Sequence, residues 1–133
     1  MVTAMSMTGQ TSIAAARLAF AFVASAVLPP VGAFAHAFLD HANPLVGSTV
    51  HGSPAEVRIW FTQELEPAFS NVRVVDQNGA QVDRQNKAVE PSDRTQLKVS
   101  LPTLPPGKYK VFWHALSVDT HTTEGTFTFE VVP

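Results

Sequence analysis

Along the C-terminal three-quarters of the chain, apolar and polar side chains alternate with a period of two. Val57, Ile59 and Phe61 alternate with Arg58 and Trp60. Val72 and Val74 alternate with Asn71, Arg73 and Val75, ahead of Asn78-Gly79, a pair that suits a tight hairpin because both residues tolerate positive φ. Leu97, Val99 and Leu101 form a third set. Tyr109, Val111, Trp113 and Ala115 share one face, with Lys110, Phe112, His114 and Leu116 on the other. Phe127, Phe129 and Val131 alternate with Thr126, Thr128 and Glu130. Successive side chains of a strand point to opposite faces, so each set predicts a strand with one buried face. After residue 40 no stretch carries a sustained helical period. Turn signals separate the runs: Asn43-Pro44, Gly52-Ser53-Pro54, Pro67, Asn78-Gly79, Pro91-Ser92-Asp93 and Pro105-Pro106-Gly107. Short strands at this spacing predict an all-β, antiparallel sandwich in a single domain. Trp113, near the middle of the longest expected strand, is the natural core anchor, and Trp60 is its partner or partly exposed.

The first 35 residues differ in kind. They hold no acid and a single base, Arg17, followed by an apolar run from Leu18 to Leu28. Pro29 and Pro30 break that run, and Ala33-Phe34-Ala35 places small residues at the −3 and −1 positions of a cleavage site. The run is too short for a bilayer, which takes about 20 apolar residues. A secretory signal peptide over residues 1–35, cut after Ala35, is therefore expected, with a mature domain over residues 36–133 exported to the periplasm.

The 133 residues carry 9 Lys and Arg against 11 Asp and Glu, a formal net charge of -2. No basic stripe occurs, which argues against nucleic acid and anionic membrane surfaces as partners. The absence of cysteine removes disulfides, zinc-thiolate sites and thiol catalysis. Met1, Met5 and Met7 all fall in the leader, so residues 36–133 offer no sulfur donor. Cu(I) favours such soft ligands and is a poor match for what remains.

Five histidines could carry chemistry. Cleavage after Ala35 would make His36 the first residue, with two nitrogen donors: a free α-amine and a ring Nδ1 able to close a chelate. The amine has an unperturbed pKa near 7.7–8.0, so a metal displaces its proton at neutral pH at modest cost. A second cluster is Asp119-Thr120-His121, within Ser117-Val118-Asp119-Thr120-His121-Thr122-Thr123-Glu124-Gly125. In an extended backbone, residues 119 and 121 would project to one side. Joined to His36, this offers one amine, two imidazoles and one carboxylate, a nitrogen-rich set that suits Cu(II). The bland alternative is a loop whose Asp and Thr side chains bond the backbone. His41 and His51, beside turn residues, are expected to be exposed. His114 faces away from Trp113 and could lie behind the metal ligands. Phe38, at mature position three, excludes the copper motif that requires histidine there.

From His36 to Val132 the sequence resembles the CopC family of periplasmic copper-binding proteins. The matching stretches are His36-Ala37-Phe38-Leu39, Asn43-Pro44 with Gly47-Ser48-Thr49-Val50, Pro54-Ala55-Glu56-Val57 and Ile59-Trp60-Phe61-Thr62. Leu104-Pro105-Pro106-Gly107-Lys108-Tyr109-Lys110-Val111-Phe112-Trp113 follows, then Ser117-Val118-Asp119-Thr120-His121 with Gly125 and Phe127. The resemblance implies a Greek-key β-sandwich or barrel of the Ig-like or cupredoxin-like kind. It also implies one Cu(II) ion held by the His36 amine and ring, Asp119 and His121. Its further implications are a monomer acting in copper resistance or homeostasis and an inner-membrane CopD-like partner that takes up the metal. Relatives of the two-site type carry a methionine-rich loop for Cu(I). The corresponding region here, about Asp76 to Thr95, has no methionine, so this chain is similar to the Cu(II)-only members. Many close relatives place a glutamate near copper where this chain has Gln63, with Glu64 next.

Two other classes of function stay open on sequence. A copper-dependent oxidative enzyme could use an N-terminal histidine brace, but would need an open coordination position and an exposed aromatic plane. A metal-free adhesion-like sandwich would bind Cu(II) no better than any exposed histidine. The expected class is a binding protein and not an enzyme.

Overall fold

The structure, a computed structural model, describes residues 36–133, so the expected leader lies outside the described residues. Eight strands follow in chain order: β1 (Leu39–Asn43), β2 (Thr49–His51), β3 (Glu56–Phe61), β4 (Asn71–Val75), β5 (Ala88–Glu90), β6 (Asp93–Ser100), β7 (Gly107–Leu116) and β8 (Thr122–Val132). Each alternating run of the sequence lies on a strand, although Leu101 falls just beyond β6. β1, β2 and β5 were not expected as strands. They have only 5, 3 and 3 residues, too few to establish a period. The only helical element among the described residues is a 3-10 turn at Pro67–Phe69.

One sheet has the order β1-β3-β6-β5 and the other β2-β8-β7-β4. Only β5–β6 and β7–β8 join neighbours within a sheet, while the remaining connections pass between sheets, as a Greek-key sandwich requires. One pair departs from the antiparallel expectation: β2 runs parallel to β8. The Asn78-Gly79 turn forms, with Gly79 at φ 83° and Asp76 Oδ1 accepting from Asn78 and Ala80 N–H. It does not start a long hairpin. Asp83 folds back so that its carboxylate accepts the Val74 N–H at 2.8 Å, capping the outer edge of β4 with a side chain before the chain crosses sheets.

Inward side chains of the two sheets meet in one core, with Val57, Ile59 and Leu97 facing Val74, Val111 and Phe129. Burying a side chain the size of Ile59 contributes about 1.5–3 kcal/mol. Trp113 is only half-buried, edge-on to Phe61 with ring centroids 5.2 Å apart. Its ring lies over Gly125, its partner across β7–β8, where an added Cβ would stand 2.6 Å from Cζ2. The longest strand is β8, with 11 residues, not the strand that carries Trp113. Trp60 turns outward and stacks on His41, at 4.4 Å between centroids and 12° between planes. It is not a partner of Trp113.

The β7–β8 ladder runs from Gly107↔Val131 to Leu116↔Thr122, and its closing turn is Ser117–His121. The segment that leads into β1 arrives beside this turn.

Candidate metal centre

Residues 36–38 precede β1 and belong to no strand, yet they are fixed. Ala37 is fully buried, and its carbonyl accepts the Thr123 hydroxyl at 2.5 Å. The Thr62 hydroxyl donates to the His36 carbonyl at 3.1 Å and accepts the Phe38 N–H at 3.0 Å. The Thr62 N–H donates to the Phe38 carbonyl at 2.9 Å. A buried methyl and two threonines thus hold the arm, Thr62 just beyond β3 and Thr123 on β8. Neither threonine carries a sequence signal for this role, because the bonds span 24 to 86 residues.

The second component is the turn. Ser117 is buried, its N–H donates to the His121 carbonyl at 3.0 Å, and Thr120 N–H donates back to the Ser117 carbonyl at 2.9 Å. Asp119 Oδ1 accepts the Ser117 hydroxyl and, at 3.2 Å, the His121 N–H, forming an Asx turn. Thr120 sits at φ 74°, left-handed for a non-glycine residue. Asp119 and His121 therefore do meet, with Oδ1 to Nδ1 at 3.4 Å. The geometry that joins them is this turn rather than the extended backbone expected from spacing. The reason is that a carboxylate two residues before an N–H closes a ring more readily than it stays straight. The side-chain-to-backbone loop offered as the bland alternative is present in full, and it is also what orients the two groups.

The Ser117 hydroxyl holds the Asp119 carboxyl below its ordinary range, helped by the His121 N–H and imidazole, while desolvation opposes the shift. An ionised carboxylate beside an imidazole is the form that binds a cation.

The arm and the turn bring the His36 and His121 rings together, with centroids 4.5 Å apart and planes at 86°. His36 Nδ1 is buried and has no hydrogen-bond partner among the described residues. Leaving such an atom unsatisfied costs about 1–3 kcal/mol, so its surroundings fit a ligand that takes up the lone pair. Copper, as cargo, would supply a Lewis acid there. Among the described residues no three His, Cys, Asp or Glu side chains alone form a closed cation site. The nitrogen of residue 36 is an amide in this chain, and Asp119 Oδ1 is already engaged by Ser117 and His121.

Gln63 is half-buried and Glu64 exposed, on a segment that runs along the turn. Val118 N–H donates to the Glu64 carbonyl at 3.1 Å, and Leu65 bridges to Ser117. His41 and His51 are exposed, as expected. His114 is exposed on the outer face of β7, with Nδ1 3.1 Å from the Phe69 carbonyl.

The described chain resembles proteins of known name. It is 32% identical over 116 residues to Protein YobA of Escherichia coli strain K12, covering 86% of this chain and 93% of that protein. The crystal structure of CopC from Methylosinus trichosporium OB3b superposes with a TM-score of 0.66 at 32% identity, covering 74% of this chain and 95% of that one. PcoC, a methionine-rich copper resistance protein from Escherichia coli, superposes with a TM-score of 0.63 at 28% identity, covering 74% of this chain and 100% of that one. The model of the CopC domain matches residues 39–132, starting three residues after His36. The chain belongs to the CopC family.

Proposed function

We propose that the processed chain binds one Cu(II) ion through the His36 amine and ring nitrogen, Asp119 and His121, and serves as a periplasmic carrier or buffer in copper resistance. The observation that carries this reading is the His36 ring packed against His121 with its Nδ1 buried and unpartnered. Removal of the leader would convert the amide at residue 36 into an amine beside that ring.

The oxidation state follows from the donors. PcoC is described as methionine-rich, whereas the three methionines of this chain are Met1, Met5 and Met7. Nitrogen and carboxylate donors favour Cu(II) over Cu(I). Four protein donors would fill a tetragonal plane, which suits holding and passing on an ion rather than turning over a substrate. Tyr109, the one tyrosine, is buried in the core and offers no platform for a glycan. On this reading the recipient is a CopD-like inner-membrane protein, and the carrier itself acts as a monomer.

Electron paramagnetic resonance of exported, copper-loaded protein tests the reading. Three nitrogen donors and one oxygen donor are expected at one equivalent of Cu(II). Two nitrogens or fewer, or a mature start other than His36 by mass spectrometry, would overturn it.

A further inference from the structure

We infer that the outer face of the β7–β8 ladder carries a second, weaker site for a divalent transition metal, built on His114 and Glu124. Strand register places these residues directly opposite each other, and Asn71 of β4 stands opposite His114 on its other side. Side chains directly opposite on antiparallel strands have Cβ atoms about 4.5–5.5 Å apart, so the three form one row. They line a common cleft of about 450 Å³.

The imidazole is prepared as a ligand. A carbonyl only accepts, so the 3.1 Å contact with Phe69 O puts the proton of neutral His114 on Nδ1. Nε2 then keeps its lone pair, and the ring is oriented by a backbone carbonyl, as metal-binding histidines commonly are. Glu124 has no ion pair or hydrogen bond from its side chain among the described residues, so its carboxylate is available. Asn71 Oδ1 accepts the Val72 N–H at 2.9 Å and retains a second lone pair.

The other exposed histidines lack this combination. His41 Nδ1 lies 2.7 Å from Asp40 Oδ2, so its neighbouring carboxylate is engaged, and its ring is stacked on Trp60. His51 Nδ1 contacts the Pro133 carbonyl at 3.1 Å, but Val132 stands opposite it. Arg73 also lines the cleft, its guanidinium 4.2 Å from the Phe112 ring centroid. That positive charge lowers affinity for any cation and excludes ions bound by charge alone, such as Ca(II) and Mg(II). Cu(II) and Zn(II), which gain from an imidazole nitrogen, remain. Glu124 is three residues from His121, about 10 Å along an extended strand. The inferred site does not depend on the His36 reading.

Calorimetric and paramagnetic-resonance titration of exported, processed protein with Cu(II) alone separates the two sites. Wild type should take a second equivalent at least a hundredfold more weakly than the first. His114→Ala should weaken that second equivalent at least tenfold and leave the first unchanged. Glu124→Gln, an exposed substitution that leaves the ladder intact, should weaken it severalfold. His41→Ala and His51→Ala should not affect it, and His121→Ala should abolish the first equivalent while keeping the second. A His114→Ala protein whose Cu(II) stoichiometry and affinities match those of wild type, whether wild type takes one equivalent or two, would overturn the inference.

Discussion

At the scale of single residues, the proposed function rests on His36 and on what stands next to its ring. An extra Met before His36 would keep the residue-36 nitrogen as an amide. Cu(II) affinity of such a variant should fall at least a hundredfold in competition titrations, and equal affinity would remove the amine from the ligand set. Thr62→Val deletes a hydroxyl that both donates to the His36 carbonyl and accepts the Phe38 N–H. Each such bond contributes about 0.5–1.5 kcal/mol, so affinity should fall roughly tenfold together with a lower melting temperature, and Thr62→Ser should restore both. Imidazole and carboxylate candidates were legible from the sequence because their chemistry is a property of the residue type. The threonines and Ser117 were not, since a hydroxyl in a β-rich chain signals nothing until its partner is known.

At the scale of elements, the β7–β8 hairpin brings the turn to the end of the sandwich. Its register depends on Gly125 leaving room for the Trp113 ring. Gly125→Ala would place a methyl 2.6 Å from Trp113 Cζ2, forcing the ring or the strand to move. Overpacking of this kind costs about 1–3 kcal/mol, to be read as a lower denaturation midpoint at unchanged slope. Alternation located five strands, because a period of two is written into any strand with one wet face. β1, β2 and β5 escaped because their pairing, not their pattern, makes them strands. The outward turn of Trp60 onto His41 was equally hidden, as an aromatic side chain satisfies either face.

At the scale of the whole molecule, acid should act on both stability and cargo. The Lys98 hydrogen bond holds the Glu90 carboxyl below its ordinary range, with the Lys98 charge and Ser92 adding and desolvation opposing. Hydrogen bonds from Thr95 and Gln96 do the same for Asp93. Folded pKa values below the unfolded ones stabilise the fold above the ordinary carboxylate range, and that stabilisation disappears as pH falls through the depressed values. Denaturation at stepped pH should show this loss below about pH 4.5, with a shallower slope in Glu90→Gln and Asp93→Asn; an unaltered slope would refute the assignment. Both residues lie on β5 and β6, at the opposite edge of their sheet from β1. Copper should leave as pH falls, as protons compete for the imidazole and carboxylate donors; retention at pH 3 would contradict the donor set. The sequence by itself determined the fold class and the family, because period, composition and motif are local properties. Only the tertiary structure decided that residues 36 and 121 share one end of the sandwich. No local rule relates positions 85 residues apart; their meeting is set by sheet order, a buried alanine and the long-range bonds of two threonines.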